Sequence, residues 1–386
     1  MVESRGQCVD SRRRFPLTIK NPLLSNPGRL GLTVLVVGAC ALLMLFLWAD
    51  YQGVNEGAVD YIRRTAADIW VLQRNSTNII RGSSIMSMRD YREVRGAAEV
   101  ESASPVLLIF ASARLGLRDY TLFLTGYVPE EPMGGPPALA AGRAPADEGE
   151  IVLDRVFARK HRLGIGQTIR IQGVDLRIVG LSSGTNAMVI QYAFVTLGRA
   201  QAFVGFPGLI SFVAARIRAG ADEGAVIAAL RSRQPGLNFF GNREFIENNV
   251  LEMQSGFLAF LFIITVMGAG VLSIILILLF SLSILEKRRD FVIMKALGAP
   301  GGFIPSLVVA QAAVLGGAGA ALGIILLFPV RAAVRALCPE LETGMYPLQI
   351  AVVSAAVLAV SMISSAIAAR RLSRFYALEA FRGREE

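Results

Sequence analysis

The sequence predicts an α-helical membrane protein with four transmembrane helices and a large extracytoplasmic mixed α/β domain between helices 1 and 2. Hydrophobic residues make up 53% of the 386 positions and charged residues only 18%, with a mean hydropathy of +0.52. That composition excludes a disordered chain or an ordinary soluble protein. The apolar residues are concentrated in four long uncharged runs, while residues 50–256 between the first two carry charges throughout.

The first element is a segment at 1–29, rich in Arg and expected to be cytoplasmic. Helix 1 is expected at 30–49, where Leu30 to Ala49 is uncharged. At about 1.5 Å per residue such a run just spans a hydrocarbon core of about 30 Å. Ser11-Arg12-Arg13-Arg14-Phe15-Pro16-Leu17 looks like a twin-arginine signal and Val37-Gly38-Ala39-Cys40 like a lipoprotein box. Apolar sequence continues to Trp48, past both candidate sites, so the run is read as a retained helix.

Helices 2, 3 and 4 are expected at 257–285, 303–330 and 346–369. The intervening parts are an inner loop at 286–302, a short outer loop at 331–345 and a tail at 370–386. Their orientation follows from basic residues on short flanks. Arg12, Arg13, Arg14, Lys20 and Arg29 precede helix 1, Lys287, Arg288, Arg289 and Lys295 lie in the inner loop, and Arg370, Arg371 and Arg374 follow helix 4. Both termini are therefore expected in the cytoplasm of a bacterium, the chain in its inner membrane and the 50–256 domain in the periplasm. The formal net charge of +9 is read as membrane topology, with no nucleic-acid partner. Cys8, Cys40 and Cys338 would lie in three different compartments, so no pair within the chain is expected.

In the outer domain the pattern changes every ten to fifteen residues. Ala67 to Gln73, Val106 to Phe110, Glu150 to Asp154 and Ser211 to Ile217 read as strands, and Ser87 to Arg95, Arg155 to His161 and Asp222 to Ser232 as helices. Gln167 to Ile171 and Asp175 to Val179 read as two strands joined by a Gln172-Gly173 turn. Asp50 to Arg64 and Asn242 to Ser255 are polar, helix-compatible and directly joined to helices 1 and 2, which makes them candidates for an outward stalk. Pro129, Pro132, Pro136, Pro137 and Pro145 mark a flexible insertion.

Catalytic patterns are sparse. None of the four lysines, Lys20, Lys160, Lys287 and Lys295, follows a glycine, so there is no Walker A loop and any ATP hydrolysis must come from another subunit. Gly180-Leu181-Ser182-Ser183-Gly184 fits a nucleophile elbow, but the lone His161 lies upstream and Met188 to Thr196 looks extended. A strand end with a polar turn is the reading adopted, and His161 is read as a solvated helix end. One His and scattered Cys leave no expected metal site, and no catalytic residue is assigned. Gly319-x-x-x-Gly323 places small residues on one face of helix 3, where another helix can approach closely.

The inner loop carries the most information. Glu286-Lys287-Arg288-Arg289-Asp290 leads into a short helix where Phe291, Met294 and Leu297 recur every three residues, and Gly298 with Pro300 stops it. Either this is an interfacial anchor, or its apolar face docks in a groove on a cytoplasmic partner while the charges set its register.

Three stretches resemble the MacB and FtsX type permeases of ABC transporters. The loop matches through Arg288, Arg289, Asp290, Ile293, Lys295, Ala296, Leu297, Gly298 and Ala299, with Asp290 in place of the usual Glu. The tail Ala377-Leu378-Glu379-Ala380-Phe381-Arg382 is similar to the family's ending, with Ala377 where a proline is usual. Glu150 to Leu181, including Leu163-Gly164-Ile165-Gly166-Gln167-Thr168, resembles the core of the periplasmic domain. Trp70-Val71-Leu72 and Asn75-Ser76-Thr77-Asn78 look like the DevC-like branch, with a LolC/LolE-like branch as the other possibility.

The resemblance implies a permease without a fused ATPase domain, paired with a second copy or a paralogue and served by a dimer of cytoplasmic ABC ATPase subunits. ATP and Mg would be bound by that partner and no cofactor by this chain. Glu286 to Gly298 would be the coupling helix and the two stalk segments a lever. Export or extraction of a lipid, lipoprotein or peptide is the function implied, with membrane lipid and, in the DevC-like branch, a periplasmic membrane-fusion adaptor as further partners. The alternative is a non-transporting regulator whose ATPase-driven motion activates an extracellular hydrolase. A membrane-anchored sensor or scaffold without an ATPase ranks below both, and an embedded enzyme last, for want of converging titratable residues.

Overall fold

A computed structural model describes residues 27–79, 84–186, 191–286, 293–294, 300, 303–341 and 346–382. Four of its helices are long and apolar enough to cross a membrane. Helix α1 runs unbroken over Pro27–Arg64, well past the last uncharged residue of its apolar run. Arg63 and Arg64 in its final turn complement the negative end of the helix dipole. After the sheet domain come the other three long helices, numbered in chain order below: α7 Phe257–Glu286, α8 Phe303–Leu337 and α9 Pro347–Arg382. Helix α8 continues seven residues beyond Val330, through Arg331 and Arg335.

By internal contacts the described residues form two units. One gathers α1 up to Leu43, α7 from Ala269, α8 up to Leu326 and α9 from Leu348. Small residues decide its packing: a Cβ built on Gly323 would stand 2.8 Å from the Ala41 Cβ and 3.0 Å from the Gly38 carbonyl oxygen, and one on Gly319 would overlap Val37. Helices α1 and α8 therefore meet nearly backbone to backbone, a contact in which dispersion replaces the missing hydrophobic drive of a lipid solvent. Between α8 and α9, the Ser365 hydroxyl donates to the Val308 carbonyl oxygen at 3.2 Å.

The other unit, Met44–Gly268 with Leu327–Pro347, is built on a mixed sheet. Its strands are β1 Ile69–Gln73, β2 Met86–Ser87, β3 Val100–Leu115, β4 Arg118–Tyr127, β5 Leu139–Gly142, β6 Glu150–Asp154, β7 Thr168–Ile171, β8 Val174–Ser182, β9 Gln191–Thr196, β10 Leu209–Ile210, β11 Phe212–Ile217 and β12 Leu237–Gly241. Its helices are α2 Met88–Arg95, α3 Arg155–His161, α4 Leu197–Val204, α5 Glu223–Arg233 and α6 Asn242–Ser255. The main sheet runs β12-β1-β11-β3-β4-β9-β6-β8-β5, with β7 against β3 and β8. Pairs β4–β9 and β6–β8 are parallel and the others antiparallel.

Side chains alternate across a strand, and here both faces are covered. Ile69 and Val71 of β1, with Val213 and Ala215 of β11, face a core shared with Tyr91, Phe157, Ala200 and Leu230 of α2 to α5. Trp70 and Leu72, with Phe212 and Ala214, face a second core shared with Val59, Tyr61 and Ile62 of α1 and Phe245 of α6. Thus one face is closed by the domain's own helices and the other by the ends of α1 and α6.

Local signals account for many boundaries. Ser87 and Asp90 make a capping box at the start of α2, and Asp154 accepts the Val156 and Phe157 amides at the start of α3. Gln172 and Gly173 both take positive φ, 46° and 86°, in the hairpin between β7 and β8. Two expectations are corrected. Strand β3 extends well beyond Val106 to Phe110 on both sides, and the proline-rich segment packs on the sheet instead of standing off as a flexible insertion. Met133 is buried, its amide donates to the Ser104 hydroxyl, and β5 adds an edge strand to β8.

Candidate functional site

The first half of the site is the end of α1. Tyr61, one turn from the helix terminus, is fully buried and stacks on Tyr192 of β9 with ring centroids 4.9 Å apart. Its hydroxyl donates to the Gly134 carbonyl oxygen at 2.9 Å, so the proline-rich segment closes over it. Burial, followed by the neighbouring Tyr192, pushes the Tyr61 phenol above its ordinary pKa and keeps it neutral. Val59 and Ile62 fill the space beside it. The Arg64–Asp60 ion pair, 2.8 Å, lies over the turn after β8, where a Cβ on Gly184 would come within 2.6 Å of the Arg64 Nε. Gly184 also has φ of +73°, so both space and backbone demand glycine there.

The second half is α6. Phe245 is fully buried and stacks on Trp70 of β1 at 4.8 Å, with Phe240, the cross-strand partner of Trp70 on β12, at 6.0 Å. The Trp70 indole donates to Asn242 Oδ1 at 3.0 Å, which ties the strand to the first turn of α6. Asn249 is fully buried and bridges two segments: Nδ2 donates to the Phe245 carbonyl at 2.8 Å and Oδ1 accepts the Ile79 amide at 3.0 Å. Buried aromatics of this kind remove about 150–250 Å² each from water, several kcal/mol per ring at about 25 cal/mol per Å². Both helix ends are thereby held to one sheet face by side chains that cannot leave without opening its core.

The elbow-like motif and the histidine sit elsewhere in the domain, and among the described residues neither is part of a reactive constellation. Ser182, the Ser of the elbow-like motif, is buried at the end of β8, and its hydroxyl lies 2.7 Å from Thr185 Oγ1, which donates to Asp154 Oδ2 at 2.6 Å. His161 is a helix end as expected, yet it is only partly solvated. Its ring is half-buried against Tyr120 at 4.3 Å and Phe157 at 4.5 Å, and burial, then the charge of Lys160, holds its pKa below the usual value. No cluster of metal-ligating side chains occurs among the described residues.

Residues 31–233 match the model of the MacB-like periplasmic core domain, and residues 260–377 match that of the FtsX-like permease C-terminal domain. The chain belongs to the MacB/FtsX-like family of ABC transporter permeases. It is 24% identical over 315 residues to an uncharacterised ABC transporter permease of Mycobacterium tuberculosis, found in strains CDC 1551 and H37Rv, a match covering 79% of this chain and 85% of the relative. Among solved structures it is similar to the periplasmic region of MacB from Actinobacillus actinomycetemcomitans, at 13% identity and a TM-score of 0.37, covering 48% of this chain and 94% of that one. The extracellular domain of the noncanonic ABC-type transporter YknZ from Gram-positive bacteria is similar at 12% identity and a TM-score of 0.35, covering 45% of this chain and 100% of that one.

As a MacB/FtsX-like permease this is a multi-pass membrane protein of a family that is normally non-catalytic itself and works with a partner ATPase in a dimeric arrangement. Of the residues singled out in the inner loop, Glu286 is exposed at the end of α7 and Met294 is helical beside Ile293. Lys287, Arg288, Arg289, Asp290, Phe291, Lys295, Leu297 and Gly298 lie outside the described residues. Gly319 and Gly323 stand against α1. The clamp residues Tyr61, Tyr192 and Phe245 were not read from the sequence, since no local pattern distinguishes them from other core aromatics.

One further site stabilises the domain. Glu150, 3% exposed at the start of β6, accepts from Arg143 Nη1 at 2.7 Å, from the Ala146 amide at 3.0 Å and from Arg177 Nη2 at 2.8 Å. The Arg143 bonds, then the Ala146 amide and Arg177, pull its pKa down to about 2. A depressed carboxylate stabilises the fold above its unfolded pKa and loses that contribution as pH falls through the folded value. Between about pH 4.5 and about pH 2 the domain is therefore expected to weaken through this group. Glu150→Gln is expected to cost about 1–3 kcal/mol at neutral pH and to flatten that acid dependence, both measured by thermal unfolding of the full chain. An unchanged acid profile in the variant would assign the weakening to other carboxylates.

Proposed function

We propose that this chain is the membrane subunit of an ABC transporter in a bacterial inner membrane, with both termini cytoplasmic and the sheet domain periplasmic. Separate ATPase subunits bind ATP and Mg and dock on the segment Glu286 to Gly298. Their closure shifts the membrane helices, and α1 and α6 pass that shift to the sheet domain, which exports or extracts a lipid, lipoprotein or peptide. The second permease is a copy or a paralogue, and a membrane-fusion adaptor receives the substrate.

The observation that supports this reading most is the double clamp. Tyr61 on α1 and Phe245 on α6 are buried in the same sheet face, on helices continuous with or adjacent to apolar spans. A ligand moves a conformational equilibrium only as far as it prefers one state, so the docked ATPase must hold the coupling segment more tightly in one nucleotide state than in the other.

The test is gentle purification from the native membrane with identification of what accompanies the chain. A P-loop ATPase near one copy per permease is expected, together with an adaptor. A hydrolase in the adaptor's place would move the function to regulation, and no ATPase across several mild detergents would overturn the transporter reading.

A further inference from the structure

Where β1, β3, β10 and β11 meet, the sheet domain holds a cavity of about 180 Å³. Leu72, Ile79, Leu108, Ile109 and Phe212 line it together with Ile85, which is 64% exposed and marks the mouth. Among the described residues no charged side chain lines it. The polar groups of the wall are engaged in holding the wall. Ser84 Oγ accepts the Gln73 amide at 2.9 Å, and Ser211 Oγ accepts the Leu108 amide at 3.0 Å and donates to the Leu108 carbonyl oxygen at 3.2 Å. The Ile85 amide donates to Gln73 Oε1 at 3.1 Å, and the Ile79 amide to Asn249 Oδ1 of α6 at 3.0 Å. Asn78 Nδ2 is directed to Glu252 Oε2, also on α6, 3.5 Å away.

These bonds decide what the cavity can take. A guest with polar atoms would give up water there for few partners, which is costly, whereas a hydrocarbon leaves water favourably and gains the aliphatic walls. An extended peptide is disfavoured for the same reason: the amides of Ile79, Ile85 and Leu108 that would meet its carbonyls are already engaged. A cavity of about 150 Å³ walled by Leu, Ile and Phe takes up a benzene-sized guest, so about 180 Å³ accommodates the end of an alkyl chain. The Asn249 bond and the contact of Phe212 with Trp70, ring centroids 5.5 Å apart, fix the wall in advance, so binding carries little ordering cost. We propose that this cavity binds the end of a fatty acyl chain. The proposal rests on the transport reading and narrows it: of lipid, lipoprotein and peptide, it selects a substrate that carries an acyl group.

The full chain in lipid nanodiscs is photolysed with decanoate bearing a diazirine at its chain end, and labelled residues are mapped by peptide mass spectrometry. In wild type the label is expected on peptides carrying Ile79, Ile85 or Leu108, and excess unlabelled decanoate is expected to displace it. Ile85→Asp sets a carboxylate at the mouth and is expected to lower that labelling about tenfold. Leu117→Asp changes a fully exposed leucine at the turn between β3 and β4 and is expected to leave it unchanged. Equal labelling of the cavity in wild type and Ile85→Asp would overturn the proposal, as would displacement by an apolar peptide as effective as that by decanoate. Should Ile85→Asp melt below wild type, Ile85→Ser carries the same test. The readout needs no ATPase. A labelled cavity in a chain that purifies without an ATPase would keep the site and end the transport reading, and an unlabelled cavity in a chain that brings an ATPase would do the reverse.

Discussion

Phe245→Ala is expected to lower the stability of the sheet domain by about 3–5 kcal/mol, the usual cost of emptying a buried aromatic site. The ring is fully buried against Trp70 and Phe240, which are cross-strand partners on β1 and β12. Its loss also removes the packing that holds α6 on the sheet, so amide exchange along 242–255 should rise more than exchange in β3 or β4. Leu251→Ala is the control on the same helix: that side chain is 61% exposed, and its removal is expected to stay within about 0.5 kcal/mol. If Phe245→Ala and Leu251→Ala were indistinguishable in melting and in exchange, the clamp would not be what joins α6 to the sheet. On the proposed mechanism, Phe245→Ala also lets ATP hydrolysis continue while substrate movement falls, a separation that a merely less abundant protein does not produce.

Leu297→Asp is expected to release the ATPase while leaving the permease in the membrane. The proposed coupling helix presents Phe291, Met294 and Leu297 at three-residue spacing, and an aspartate there places an unpaired carboxylate in an apolar contact. A loss of several kcal/mol corresponds to an affinity about a hundredfold weaker or more. Met294→Asp should act in the same direction, and Arg288→Gln more weakly, because an exposed charge at the rim of an interface contributes little. Co-purification of the complex from membranes measures all three. An ATPase that stays bound through both aspartate changes would return the inner loop to the role of an interfacial anchor.

Much of this architecture was legible because its signals are local. An uncharged run of about twenty residues declares a membrane-spanning helix whatever surrounds it, and the Gln172-Gly173 hairpin follows from the backbone angles its two residues tolerate. Ser87 with Asp90, and Asp154 before Val156, mark helix starts for the same reason: a side-chain oxygen meets an amide a few bonds away. The helices over 50–64 and 242–255 were legible because those polar segments are helix-compatible and directly joined to apolar runs. Strand β12, helix α4 and the full length of β3 were not, since their residues acquire strand or helix character from partners far along the chain. His161 was read correctly as a helix end, but its packing was missed because one of the rings against it, Tyr120, comes from a strand that had not been recognised. The proline-rich segment was misread because proline and glycine report backbone geometry and are silent about whether a Met133 beside them finds a pocket.

By itself, then, the sequence determined the class, the four apolar helices, the place of the aqueous domain and the stretches that resemble a permease family. Each rests on composition or on spacing within one turn, one strand or one run. Only the tertiary structure decided that β1 lies between β11 and β12, that Tyr61 meets Tyr192 and Gly134, and that Phe245 meets Trp70. Such pairings depend on which distant apolar surfaces fit together once backbone hydrogen bonds are satisfied, and their energy is shared among many contacts, so no single stretch of sequence carries it.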